Sequence, residues 1–212
     1  MKVVSLNHPD LRQILDDFSG WFFKQDLTEL ENSMSEDSKK RINDPSGHTT
    51  LDYLKQVLPI PEQYGFPKSS YGVEMMLGVG VCPTKFVRKA KDTNDALMEF
   101  FGARNNALQM YYPAGGYIGW HNNGNAHGYN IILSCNPEGD GEFEHYDHIN
   151  NKLNVYKDEK NWNVKAGYFG NFKEPDKLFW HCARTRSPRL TFSYVVYNEN
   201  IWNDMVADIE NG

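Results

Sequence analysis

Two histidines and one arginine in the second half of the chain carry its clearest chemical signal. His121 and His181 stand sixty residues apart, and Arg189 follows the second by eight, at the head of the run Leu190-Thr-Phe-Ser-Tyr-Val-Val196. Neutral imidazoles hold borderline transition metals, and a site with few protein ligands keeps positions open for other molecules. A guanidinium grips a carboxylate through two charge-assisted hydrogen bonds that lysine cannot reproduce. Together they suit one metal ion and one anionic chelator. A single histidine beside Trp120 or Trp180 is more often a hydrogen-bonded structural residue, so the order of the three residues is what carries this reading.

Such a set needs strands that bring distant residues together. Short runs rich in aromatic and β-branched residues occur at 108–112, 117–121, 129–135, 142–146, 153–156, 164–169, 178–182 and 190–197, bounded by turn formers. Eight strands at this spacing predict a jelly roll or small barrel, with His121 at the end of one strand and His181 near the end of a distant one. Pro137-Glu-Gly-Asp-Gly141 fits a hairpin turn between two of them. His145 and His148, three apart in a strand and turn, are expected on opposite faces and exposed.

The first half reads as support. Leu11, Ile14, Leu15, Phe18 and Phe22 have helical spacing behind Pro9, which predicts an amphipathic helix over 9–24. The polar stretch 29–48 reads as an exposed loop or weak helix. A second helix is expected from Thr49 or Thr50 as N-cap to Leu58, stopped by Pro59 and Pro61, and a third over 94–101 with Gly102 at its end. Between them, alternation of Val73, Met75, Leu77, Val79 and Val81 predicts a strand over 71–81. Ile201, Trp202, Met205, Val206 and Ile209 predict a closing helix over 199–209.

Composition bounds the function. The 212 residues are 40% apolar and 14% aromatic, enough for a full core in one domain. No apolar stretch approaches the ~20 residues of a membrane span, and no signal-peptide pattern opens the chain, so a cytoplasmic protein is expected. Cys82, Cys135 and Cys182 form no Cys-x-x-Cys pair, which suggests reduced thiols. A net charge of -6 disfavours nucleic acid as a partner, and the basic cluster Lys85, Arg88, Lys89 and Lys91 reads as a solvated face.

Over residues 108–197 the chain resembles the 2-oxoglutarate and Fe(II)-dependent oxygenase superfamily, its prolyl-hydroxylase-like branch most closely. Tyr112-Pro-Ala-Gly-Gly-Tyr-Ile-Gly-Trp-His121 resembles the strand leading to that family's first metal ligand. Gly141-Glu-Phe-Glu144 and Lys165-Ala-Gly-Tyr-Phe169 are similar to its middle strands, and His181 with Pro188-Arg189-Leu-Thr-Phe-Ser193 to its ending. The resemblance implies a mixed α+β fold with a mainly β core, a double-stranded β-helix (jelly roll) with N-terminal supporting helices and a C-terminal helix. Within one domain, 1–102 would buttress the core at 103–198, and 199–212 would close it. It also implies Fe(II) on His121 and His181, 2-oxoglutarate on Arg189 with contacts from Tyr112 and Ser193, and O2 as oxidant. Hydroxylation of a peptide side chain or small molecule is the expected reaction, with Tyr117, Trp120 and Tyr129 either at the substrate mouth or in the core. Arg184 and Arg186 read as surface or substrate-contacting charges.

The departure from that family is Asn123, which stands where the metal-binding carboxylate is expected. An amide oxygen is a neutral donor, so the metal would bind less tightly. Three readings follow: an oxygenase working with a weak or absent third ligand, including a halogenase-like one; deamidation at Asn123-Gly124 to restore an aspartate; or loss of turnover, leaving a jelly-roll binding module. A nucleic-acid-modifying oxygenase is a further alternative.

Overall fold

The computed structural model describes residues 1–76, 82–102 and 105–212, with Asn105 by its backbone alone. Its elements are β1 (Lys2–Val4), α1 (Pro9–Phe22), α2 (Leu27–Asn32), α3 (Glu36–Lys39), α4 (Leu51–Val57), β2 (Ser70–Tyr71), β3 (Val73–Glu74) and α5 (Thr84–Phe101). There follow β4 (Asn105–Tyr112), β5 (Tyr117–His121), β6 (Gly128–Asn136), β7 (Glu142–Asp147), β8 (Lys152–Lys157), β9 (Asn161–Phe169), β10 (Trp180–Arg184), β11 (Arg189–Val196) and α6 (Glu199–Asn211). All eight strands expected after residue 102 are present.

The fold is mixed α/β with two antiparallel sheets. One has the order β1-β9-β6-β11-β4-β3 and the other β2-β5-β10-β7-β8. Period-two alternation along β11 shows how the layers divide. Leu190, Phe192 and Tyr194 face outward into the largest core cluster, together with Leu11, Leu15, Phe18 and Phe22 of α1 and Phe86, Leu97 and Phe101 of α5. Arg189, Thr191 and Ser193 therefore face between the sheets. That interior holds Met110, Tyr112, Ile132 and Phe169 from one sheet and Ile118, Phe143, Phe179 and Ala183 from the other. On the outer face of the second sheet, α4 packs Leu54 and Val57 against Trp120 and Trp180.

Several expectations shift. Asn136 and Gly139 do make the turn expected at 137–141, the Asn136 side chain accepting from the Glu138 and Gly139 amides, but the turn does not close a hairpin. It carries the chain from one sheet to the other, because both edges of β6 are paired by β9 and β11, and both edges of β7 by β10 and β8. The helix expected over 94–101 starts ten residues earlier, at Thr84. Phe86, Ala90, Leu97 and Phe101 form its buried stripe, while the basic residues lie on its outer side, with Lys85 and Lys91 paired to Glu29 and Asp95. The polar stretch holds two short helices, α2 and α3. The strand expected over 71–81 divides at Gly72, where a Cβ would meet the Tyr111 carbonyl oxygen at 2.8 Å; β2 joins one sheet and β3 the other. Residues 77–81 of that expectation lie outside the described residues. Among the described residues no helix is long and apolar enough to cross a membrane.

Candidate active site

The last residue of β5 is His121, and the antiparallel register of β5 with β10 sets it opposite His181. Directly paired residues project to the same face, so both rings enter the space between the sheets, with centroids 4.0 Å apart. Each ring is fixed by its own strand. Nδ1 of His121 donates to the Gly119 carbonyl at 2.8 Å, and Nδ1 of His181 to the Phe179 carbonyl at 2.7 Å. A carbonyl only accepts, so the hydrogen sits on Nδ1 and the lone pair on Nε2. Among the described residues neither Nε2 takes part in a hydrogen bond.

Electrostatics reinforce this state. Burial pushes His121 down to about 4 against the pull of the Gly119 carbonyl, and burial, then the neighbouring His121, hold His181 well below its ordinary value. Both imidazoles are neutral at pH 7, the form that binds metal. Phe143, Phe169 and Phe179 surround His181 with ring centroids at 5.4, 5.0 and 5.5 Å. The pair thus offers two ordered nitrogen donors in an apolar shell.

Asn123 follows in the loop with φ 53°, in the left-handed region that asparagine tolerates better than most residues. It is half-buried, its carbonyl accepts from the Ala126 amide at 2.8 Å, and its side chain makes no hydrogen bond among the described residues. Asn122 anchors the turn instead, donating to the Pro61 carbonyl and accepting from the Gly124 amide, both at 2.9 Å. That second bond opposes deamidation, since the Gly124 nitrogen would have to attack the Asn123 amide. Gly124 is also packed against the Phe172 ring. Among the described residues no group of three or more His, Cys, Asp or Glu converges as a metal cage.

Deeper between the sheets, Arg189 is 1% exposed, and its cross-strand partner is Tyr112. Its guanidinium is engaged by a residue that sequence reasoning missed. Nε donates to Asp158 Oδ2 at 2.5 Å, Nη2 to Asp158 Oδ1 at 3.4 Å, and Nη1 to Thr191 Oγ1 at 2.6 Å. Lys165 and Ser134 also donate to Asp158 Oδ1, each at 3.3 Å. Burial alone would raise the Asp158 carboxyl, yet Arg189 and then Lys165 hold it at about 2; burial lowers Lys165 against the pull of Asp158. Tyr112 is buried with its hydroxyl unpartnered, and burial raises its pKa above the ordinary phenol value. Ser193 donates to Asn130 Oδ1 at 3.4 Å.

Other expected residues lie apart from these two clusters. Tyr117 bonds Ser69 at 2.5 Å at the opposite end of β5, Trp120 packs on the outer face beneath α4, and Tyr129 makes tilted ring contacts with Tyr168 and Trp202. Trp120 is thus core rather than substrate mouth. Arg184 pairs with Glu142 and Glu144, while Arg186 is exposed. His145 is corrected: β7 runs on to Asp147 and pairs with β10, so His145 lies opposite His181, half-buried, with its ring stacked 3.9 Å from Phe179. His148, in the following turn, donates to the Pro175 carbonyl at 2.9 Å.

No family model and no curated protein matches the chain. Three solved structures are similar to it in part. A prolyl-4-hydroxylase of Pseudomonas putida shares 12% identity over 52% of this chain and 60% of its own, with a TM-score of 0.32. A cupin-like protein of Thermotoga maritima shares 10% identity over 44% of this chain and 57% of its own, TM-score 0.25. A viral collagen prolyl hydroxylase from Paramecium bursaria Chlorella virus-1, in its 2OG complex, shares 9% identity over 69% of this chain and 89% of its own, TM-score 0.31. The chain therefore spans less than two thirds of the first two. All three TM-scores lie below 0.5, so the functional reading rests on this chain's own side chains.

Proposed function

We propose that the chain is a double-stranded β-helix oxygenase dependent on Fe(II) and 2-oxoglutarate, acting on a peptide side chain or small molecule. The single observation that carries this is the His121–His181 pair, two neutral imidazoles with fixed rings and uncommitted Nε2 atoms inside the sheets. Support for the jelly-roll reading comes from the strand order. From β4 to β11 the chain fills β9-β6-β11-β4 in one sheet and β5-β10-β7-β8 in the other, crossing between them at nearly every turn. Residues 1–102 would act as the buttress.

The donor set fits iron held by two protein nitrogens, with the remaining positions left to smaller ligands. Asn123 would be a neutral third donor or none. An oxoacid fits the interior on a separate observation: the unpartnered Tyr112 hydroxyl beside Arg189 is a donor that a ligand carboxylate would satisfy, with Ser193 further along the same face. The bound metal and oxoacid would supply the oxidising power drawn from O2. The protein's share is to orient both and to keep water out with Phe143, Phe169 and Phe179.

The test is an anaerobic titration with Fe(II) and 2-oxoglutarate, followed by assay of succinate on admission of oxygen. A visible charge-transfer band and succinate formation are expected, and their joint absence rejects the proposal. One observation favours a second reading, a binding module without turnover: Asp158 already occupies the arginine that would anchor the oxoacid. Under it, ligands bind and no succinate forms.

Asn123→Asp discriminates further. Aspartate also tolerates a left-handed backbone, so the loop is preserved while an anionic donor is added. Iron affinity is expected to rise about tenfold or more, read by metal competition, given the charge that an aspartate brings to a divalent cation. Unchanged affinity would show that residue 123 does not face the metal.

A further inference from the structure

Arg189 has five N–H donors, of which three are engaged within the protein, two on Asp158 and one on Thr191. One hydrogen remains on each terminal nitrogen. Asp158, whose side chain is wholly buried, lies between Arg189 and Lys165, both almost fully buried as well. The group therefore sums to two cations against one anion. A surplus charge in a region of low dielectric is costly unless something compensates it. The Tyr112 hydroxyl, paired across the strands with Arg189, is an orphan donor beside that surplus. Charge and hydrogen bonding thus point independently to one further anion.

We infer that Asp158 is a built-in competing carboxylate, which holds Arg189 and Lys165 together without a ligand and limits their immediate surroundings to one ligand carboxylate, the second carboxylate of a dicarboxylic acid lying outside this group. A ligand carboxylate would bring the group to neutrality, whereas a phosphate dianion would overcharge it. Asp158 would thereby set both affinity and selectivity. The backbone is shaped for this. Asp158 donates its amide to the Gly141 carbonyl at 2.8 Å, and a Cβ at Gly141 would lie 2.5 Å from Asp158 Oδ2 and 3.1 Å from Arg189 Cδ. Only glycine lets the carboxylate reach the guanidinium there. The inference rests on the oxygenase reading for the ligand's identity but not for its charge.

The test uses metal-free protein and titrates glutarate, which has both carboxylates of 2-oxoglutarate and no keto group, with inorganic phosphate in parallel. Removing a like charge close to the ligand in a poorly screened interior is expected to tighten glutarate binding by Asp158→Asn about tenfold or more, although this variant melts at a lower temperature. Lys165→Met leaves Arg189 and Asp158 as a neutral pair, so binding should weaken about tenfold or more. Phosphate should bind only to the Asp158→Asn variant. A purely structural role would weaken binding in both variants. Equal or weaker glutarate binding by folded Asp158→Asn, unchanged binding by Lys165→Met, or no binding by any of the three proteins overturns the inference. If Asp158→Asn does not fold, the Lys165→Met result decides. Failure of the oxygenase reading would appear separately, as no charge-transfer band and no succinate while glutarate affinity still follows residue 158.

Discussion

His181→Ala is expected to lower Fe(II) affinity by more than about 100-fold and to remove succinate formation altogether. Loss of a group that merely orients a ligand already costs roughly 10–100-fold in metal affinity, and His181 would supply one of two protein nitrogens. With so few donors, the remaining histidine gives a monodentate site that any surface imidazole could match. His121→Ala should therefore fail to the same extent, and the double variant should be no worse than either single one, because the two rings act as a unit. Stability separates the effects. Both rings are neutral, so alanine leaves no buried charge behind; it leaves a cavity, which at His181 lies beside Phe143, Phe169 and Phe179, and takes the Nδ1–H donor from the Gly119 or Phe179 carbonyl, together costing roughly 2–5 kcal/mol. Cooperative unfolding with iron binding lost is the expected pair of results. Binding retained within about threefold in either single variant would place the metal elsewhere.

How much of this was legible in the sequence depends on the range of the interaction. The eight core strands were readable because β-branched and aromatic residues mark each strand locally and turn formers mark its ends. Their assignment to sheets was not, and the turn at 137–141 shows why: its residues specify a reversal, but whether the strands it joins then pair depends on edges filled by β9, β10 and β11 far along the chain. The same distinction runs through the site. The order of His121, His181 and Arg189 is readable because it follows the strands that carry them. Asp158 was missed because it lies one residue past β8 in a run of charged residues that reads as solvated surface, and only the packed sheets bring it 31 positions across the sequence to Arg189. The sequence around His145 suggests exposure because the β7–β10 register that sets it opposite His181 depends on residues far along the chain. Asn123 looked like a missing ligand. Its positive φ supplies an independent backbone reason for asparagine at that turn.

Arg189→Met should be the most damaging change in the deeper half of the site. Breaking a buried ion pair from one side costs about 3–5 kcal/mol, because the partner stays desolvated without its counter-charge. Here Asp158 would lose its two-point contact and keep only Lys165 and Ser134, each at 3.3 Å. Oxoacid binding should fall below detection. Arg189→Lys separates charge from shape: it restores a cation and part of the stability, but three hydrogens on one atom cannot reproduce the planar fork that grips Asp158 at two points while presenting hydrogens to a ligand carboxylate, so affinity should remain at least about tenfold down. The pH dependence gives a second check. In the wild type the Asp158 carboxyl is held at about 2, below its ordinary value, so its stabilising contribution is complete above the unfolded-state pKa and is lost as pH falls through about 2. Without Arg189, burial would raise that carboxyl and much of this contribution would be gone at neutral pH. Chemical unfolding should therefore show the widest gap between wild type and Arg189→Met near pH 7, narrowing by at least about 1 kcal/mol at pH 3, where the unfolded wild type is mostly protonated and the variant no longer bears a buried unpaired charge. A gap that is constant from pH 7 to pH 3 would mean that Arg189 stabilises the interior through packing alone.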